Sequence, residues 1–482
     1  MENKDNLKSQ VVSGLFWKFG ERITAQFVSL VVSIILARVL SPEDFGTVSL
    51  VMVFITIANV FVSNGFGNAL IQKKDANNID FSSVLYINIL VSFAIYFLIF
   101  IIAPVIADFY KMPVLCSILR VLGIRIIIAS INSIQHAFVS RNMLFKRFFW
   151  STLFGTIISG IVGVSLAYKG AGVWALVAQY LTNTIIDTFV LAFTIKWKPV
   201  LAFSWKRSKS LISFGWKLLC AGLMDTTYSQ LRNLLIGKIY TPSDLAYYNQ
   251  GDKYPQVIVV NVNTSIGGVL FPAMSKYQDN REKIKYMTRT AIQVSSYVIW
   301  PIMIGMSVVA EPFVKLLLTD KWLPCIPYLR IFCISYGLWP IHTANLQAIN
   351  ALGRSDLFLR LEIIKKSIGI AVLFCTIYFG PLAVAIGLII TGVISTFVNS
   401  YPNKGLLNYS YFEQLKDLSA PLVLSILVGA CVYPISLIHM SEILIIIFQL
   451  VLGIVLYIFG SIISNQKGFT FIRAYLKGMK KK

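Results

Sequence analysis

"ARVLSPEDFG" at residues 37–46 returns two hundred positions later as "GKIYTPSDLA" at 237–246. The pairing aligns Arg38 with Lys238, Pro42 with Pro242 and Asp44 with Asp244. Outward from it, "WK" at 17–18 matches "WK" at 216–217, and Gly67 matches Gly267. Further on, "LRVLGI" (119–124) aligns with "LRIFCI" (329–334), and "QHAFVSRNMLFKR" (135–147) with "QAINALGRSDLFLR" (347–360). The offset drifts from 199 to 213, as small loop insertions in an internal duplication produce.

The repeated units are apolar spans. The chain has 482 residues, 56% hydrophobic and 13% charged, with mean hydropathy +0.72. A soluble chain needs far more charge to cover its surface, and repeated apolar runs of about 20 residues mark a polytopic membrane protein. Fourteen spans are expected, near 14–38, 45–69, 82–107, 114–139, 147–168, 171–195, 211–237, 253–275, 288–311, 324–350, 358–379, 381–400, 419–439 and 443–464. The first run follows the polar "MENKDNLKSQ" with no small-x-small cleavage site after it, and reads as a retained span.

The net charge of +22 tests that count. With both termini cytoplasmic, the cytoplasmic segments hold 29 Lys and Arg, the opposite face 7, and the spans 7. This alternation follows the positive-inside rule and accounts for the basic excess without nucleic acid. External segments are short, the longest expected at 238–253, so the function resides in the membrane. The six cysteines (116, 220, 325, 333, 375 and 431) sit in apolar runs without CxxC spacing and read as free thiols. His136, His342 and His439 are too scattered for a zinc site, so no metal is expected.

The repeat groups the spans as six, six and two. An N-lobe is expected over 11–196, a basic cytoplasmic linker over 197–210 and a C-lobe over 211–403. Two extra spans over 404–464 and a basic tail over 465–482 complete the all-α fold. Parallel repeats with a substrate between the halves are one design of secondary transporters, which work by rocking one half against the other. Pro272, Pro301, Pro340 and Pro434 fall within spans and could bend them.

The span "FGWKLLCAGLMDTTYSQLRNLLIG" (214–237) carries Lys217, Asp225 and Arg232, each costing about 2.5–3.5 kcal/mol at mid-bilayer. At 3.6 residues per turn these three and Tyr228 fall within about 80°. The first span carries a matching stripe of Lys18, Arg22, Gln26, Ser29 and Ser33, with Glu21 at its edge. In the fourth, Arg125, Asn132 and His136 align, with Arg120 nearer the outer end and Arg330 its repeat counterpart. Seven span cations against three span acids (Glu21, Asp187, Asp225) predict a cationic cavity that selects anions, phosphate among them. No GxxxxGK[ST] loop, HExxH, CxxC or Ser–His–Asp arrangement occurs, so neither direct ATP use nor enzyme chemistry is expected. A cation antiporter needs an acidic cavity, and a purely structural protein leaves the span charges unexplained.

"ILARVLSPEDFGTVSL", "NALIQKKD", "GVWALVAQY", "GVLFPAMSKYQD", "KWLPCIPYLRIFC" and "NALGRSDLFLR" resemble the motifs of Wzx-type polysaccharide flippases. They are most similar to the colanic-acid and teichuronic-acid exporter branch of the MATE-like MOP superfamily. The resemblance covers about residues 10–410. It implies a V-shaped bundle of two six-helix lobes in a bacterial cytoplasmic membrane. It also implies that an undecaprenyl-pyrophosphate-linked oligosaccharide is flipped from the inner to the outer leaflet for surface polysaccharide synthesis. On that similarity diphosphate contacts are expected at Arg22, Arg125 and Arg232, with Arg120 and Arg330 as a symmetric pair nearer the outer mouth. Coupling to protons or sodium would use Glu21, Asp187 or Asp225, and no other cofactor is implied. Implied partners are the lipid-linked oligosaccharide, membrane lipids, and polysaccharide polymerase and chain-length machinery. A MATE-type drug or cation antiporter is the alternative.

Overall fold

The computed structural model describes residues 2–63, 66–73 and 75–479, and every regular element among them is helical. The last three residues of the basic tail, 480–482, lie outside the described residues. Packing divides the chain into two compact units, Met1–Ala246 and Tyr247–Lys482.

The first unit contains α1 (Glu2–Val39), α2 (Pro42–Ser63), the short α3 (Phe66–Gln72), α4 (Asn78–Tyr110), α5 (Val114–Arg141), α6 (Phe145–Tyr168), α7 (Val173–Thr194) and α8 (Trp205–Ile239). The start of α2 is fixed by "SPED". Pro42 opens the helix, the Ser41 hydroxyl accepts from the Asp44 N–H at 3.2 Å, and Asp44 accepts from the Ser41 N–H at 3.1 Å. This is a reciprocal cap around a proline at the first helical position. On α6, Ser151, Gly155, Ser159, Gly163 and Ala167 recur every fourth residue along one buried edge. Such an edge lets backbones approach closely in a bilayer. A Cβ on Gly163 would lie 2.9 Å from the Gln179 side chain of α7, and one on Gly160 would lie 2.5 Å from Val32 of α1.

The segment read as a linker is strapped to the first turns of α4. Trp197 is buried against Phe81 and Phe138. The Val200 N–H donates to Ser82 Oγ at 2.9 Å and the Ser204 N–H to Ser83 Oγ at 3.0 Å. Beneath them Asp80, with no exposed surface, takes Lys73 at 2.9 Å and Arg207 at 3.3 Å and caps the Asn77 N–H at 3.0 Å. Helix α8 then packs against α2, α3 and α4. Its last turns are fixed by the Tyr110 hydroxyl donating to the Leu234 carbonyl at 3.3 Å, and by Lys238 donating to the Phe109 carbonyl.

The unit boundary falls inside α9 (Pro242–Ser275). Residues 238–253, expected as an external loop, are therefore helical from Pro242. "TPSD" builds the same cap as "SPED": Thr241 Oγ1 accepts from the Asp244 N–H at 3.2 Å and Asp244 from the Thr241 N–H at 3.1 Å. The two starts also touch, because a Cβ on Gly46 would sit 1.7 Å from the Pro242 carbonyl oxygen.

The second unit continues with α10 (Arg281–Val308), α11 (Ala310–Leu318), α12 (Ile326–Gly337), α13 (Trp339–Ala351), α14 (Ser355–Thr376), α15 (Pro381–Leu407), α16 (Tyr411–Val432), α17 (Glu442–Ile463) and α18 (Lys467–Met479). Pro272 and Pro301 lie inside α9 and α10, Pro340 opens α13, and Pro434 lies in the 3-10 turn after α16. A buried amide network joins α13, α15 and α16: Asn345 donates to Gln414 at 2.7 Å and Asn403 to Asn345 at 2.5 Å. Beside it, Asp417 takes Arg289 at 2.7 Å and the Tyr409 hydroxyl at 2.8 Å. Helix α17 is pinned to α10 by the Tyr297 hydroxyl on Ser461 at 3.0 Å and the Tyr457 hydroxyl on the Tyr297 carbonyl at 2.9 Å.

Eleven helices among the described residues are long and apolar enough to cross a bilayer, making this a multi-pass membrane protein. Their exposed sides carry large hydrophobics, as on α4 at Leu90, Phe93, Phe97, Ile101 and Val105. Three of the fourteen expected spans fall short of that test. Helix α8 carries internal charges, 324–350 is divided into α12 and α13, and α14 has Arg360, Glu362, Lys365 and Lys366 between its start and its middle turn.

Candidate functional site

Four of the charged or titratable groups singled out in the first unit, Arg125, His136, Asp187 and Glu21, lie where α5 packs on α7 and α1 on α6. Arg125 of α5 donates through Nε to Thr184 Oγ1 of α7 at 2.9 Å. Its guanidinium carbon lies 5.8 Å from the Tyr180 ring centre, and Nη1 reaches Met52 Sδ of α2 at 3.8 Å. About two turns along α5, Asn132 Nδ2 donates to Asp187 Oδ2 at 2.9 Å, and one turn further His136 Nε2 lies 3.3 Å from the same oxygen. One seam thus carries an arginine at one end and a His–Asp–Asn triple at the other. Glu21 of α1 accepts from Thr152 Oγ1 of α6 at 3.2 Å. Its neighbour Arg22 is half-buried and makes no hydrogen bond or ion pair among the described residues.

On α8, the Arg232 guanidinium lies 5.6 Å from the Tyr228 ring centre, one turn away, and Asp225 is exposed. Arg120 stacks on Phe100 at 4.2 Å and donates through Nε to the Phe100 carbonyl at 3.4 Å. In the second unit, Arg330 donates through Nε to the Ser307 carbonyl at 3.2 Å. The two repeat-related arginines are thus held in the same way, by one Nε–H on a helix carbonyl of their own unit.

None of Arg22, Arg120, Arg125, Arg232 and Arg330 forms an ion pair among the described residues. Elsewhere Arg207, Arg289 and Arg354 face acids, Arg141 donates to the Leu70 carbonyl at 2.8 Å, and Arg147, Arg281, Arg360 and Arg473 also form no ion pair among the described residues. An unneutralised guanidinium in a spanning helix is costly, and such residues mark substrate or ion pathways.

Sequence reading missed Asp252, whose carboxylate accepts from the Tyr336 hydroxyl at 2.5 Å. It had been assigned to the 238–253 loop. The second "S/T-P-x-D" cap was the signal that would have put it on a helix. The Asn345, Asn403 and Gln414 group was missed too, because single amides in apolar runs carry no periodic signature.

The sequence profile of the family described as "Polysaccharide biosynthesis protein" matches residues 35–327. The chain belongs to that family. The chain is 23% identical over 431 residues to the lipopolysaccharide biosynthesis protein WzxC of Escherichia coli (strain K12), covering 87% of this chain and 86% of that protein. It is 25% identical over 358 residues to the teichuronic acid biosynthesis protein TuaB of Bacillus subtilis (strain 168), covering 73% of each. Its fold is that of a lipid II flippase MurJ solved in an inward closed conformation, with a TM-score of 0.73 at 17% identity, covering 94% of this chain and 98% of that one.

Proposed function

We propose that this family member is a flippase for undecaprenyl-pyrophosphate-linked oligosaccharide repeat units. It moves them from the inner to the outer leaflet of a bacterial cytoplasmic membrane by alternating access, supplying surface polysaccharide synthesis. One observation carries the reading: Arg22, Arg120, Arg125, Arg232 and Arg330, the span arginines singled out in the sequence, lack an acid partner among the described residues. A diphosphate supplies the missing charge, and a guanidinium held through Nε keeps its Nη edge available for phosphate oxygens. Arg22, Arg125 and Arg232 contact the diphosphate, with Arg120 and Arg330 nearer the outer mouth. The same unpaired cations disfavour a MATE-type antiporter of drugs or cations.

The accompanying architecture has fourteen crossings, adding α8, the α12–α13 pair and α14 to the eleven apolar helices. Two six-helix lobes form a V, two further helices follow, and both termini are cytoplasmic. The protein performs transport and no covalent chemistry. Coupling to protons or sodium uses Glu21, Asp187 or Asp225, since a carboxylate can exchange a proton or cation as the charge of the cavity changes. Polysaccharide polymerase and chain-length machinery act on the delivered substrate. The test is Arg125→Ala with Arg232→Ala: surface polysaccharide export is lost while insertion and abundance stay normal. Unchanged export removes the arginine assignment.

A further inference from the structure

The Asn132 and His136 side chains tied to Asp187 also line a cavity of about 370 Å3 between α2, α3 and α5. Its polar wall consists of Asn59, Ser63, Asn132, Ser133, His136 and Ser140. Among the described residues the wall holds no Arg, Lys, Asp or Glu, so its chemistry is that of amides, hydroxyls and one imidazole. That set exchanges hydrogen bonds with hydroxyl groups and is a poor match for a diphosphate. The volume falls in the range of small-molecule pockets, about 300–1,000 Å3, enough for a sugar ring.

Two groups in the wall await a partner. Asn59 Oδ1 is buried without a hydrogen bond, and the Ser140 hydroxyl makes none among the described residues. Asn59 lines the cavity while its Oδ1 is buried without a partner, so a turn of the amide toward the cavity would let it accept from a hydroxyl there. His136 is well oriented to add to this. One ring nitrogen is engaged by Asp187, and the ring packs against Phe148 with centroids 4.6 Å apart. The cavity lies beside Ser63, the last residue of α2, and Ser140, next to last in α5. The charge count puts these ends on the cytoplasmic side, where a glycan assembled in the cytoplasm would load.

We propose that this cavity is a saccharide subsite, receiving a sugar of the lipid-linked glycan through Asn59, Ser140, Asn132 and His136. The proposal rests on the flippase reading and extends it from the diphosphate to the sugar. Neither Asn59→Ala nor Ser140→Ala removes a side-chain hydrogen bond described within the protein, so both variants keep the fold.

The experiment uses purified full-length protein in nanodiscs. Native mass spectrometry titrates two probes: undecaprenyl pyrophosphate, and lipid-linked oligosaccharide extracted from the producing organism. The double variant Asn59→Ala/Ser140→Ala is expected to weaken oligosaccharide binding about tenfold and leave undecaprenyl pyrophosphate within about twofold. Equal weakening of both probes, or no change in either, overturns the subsite and leaves the flippase reading standing. If wild-type protein binds neither probe, the flippase reading falls and the subsite with it.

Discussion

Replacing Asp80 with Ala tests whether the segment between α7 and α8 is structurally welded to the first unit. The carboxylate has no exposed surface and is shared among Lys73 at 2.9 Å, Arg207 at 3.3 Å and the Asn77 N–H at 3.0 Å. Removing one member of a buried charge network costs about 3–5 kcal/mol when the remaining charges stay buried. Here the Lys73 and Arg207 side chains are 19% and 42% exposed, so both recover part of their hydration. The loss is then dominated by the Lys73 bond and the helix cap, about 2–4 kcal/mol together. In a two-state transition of the first unit, that corresponds to a fall in Tm of about 5–10 °C. Differential scanning fluorimetry of detergent-purified protein measures it. Arg207→Met is the control: its contact is long and partly exposed, so a change below about 1 kcal/mol is expected. An Asp80→Ala shift no larger than that of Arg207→Met would refute the reasoning.

Further outcomes follow from the packing and from the repeat. Gly46→Ala puts a methyl 1.7 Å from the Pro242 carbonyl oxygen, so the start of α9 must move; a loss of about 1–3 kcal/mol is expected by the same fluorimetry. Ser41→Ala and Thr241→Ala each remove a cap of matching geometry, so each should cost about 0.5–2 kcal/mol. A cost at only one of them would show that the two copies of the motif are not energetically equivalent.

The repeat was legible because it is built from local chemistry. A hydroxyl, a proline and an acid at fixed spacing make the same cap wherever they occur, and the two copies fold to donor–acceptor distances that agree throughout. The long apolar runs were legible for the same reason, since length and composition alone decide whether a helix can cross a bilayer. Charge partners were harder to read. Asp187 was visible as an acid in a span, yet its contacts with Asn132 and His136 cross 55 and 51 residues of chain. Asp80 lay outside the spans and gave no hint of its burial between Lys73 and Arg207. Helix periodicity put Arg125 and His136 on one face of α5. Only the packing of α7 against it separated an arginine without an acid from an imidazole with one.

The central claim is tested most directly by where the lipid-linked glycan resides in living membranes. Spheroplasts with and without this protein are treated with a membrane-impermeant sugar-oxidising reagent, and the labelled fraction of polyprenyl-diphosphate-linked oligosaccharide is measured. If the protein is the flippase, its loss leaves the lipid-linked pool intact or enlarged and inaccessible from outside, and Arg125→Ala/Arg232→Ala reproduces that state. An outer-leaflet pool labelled to the same extent without the protein would contradict the account.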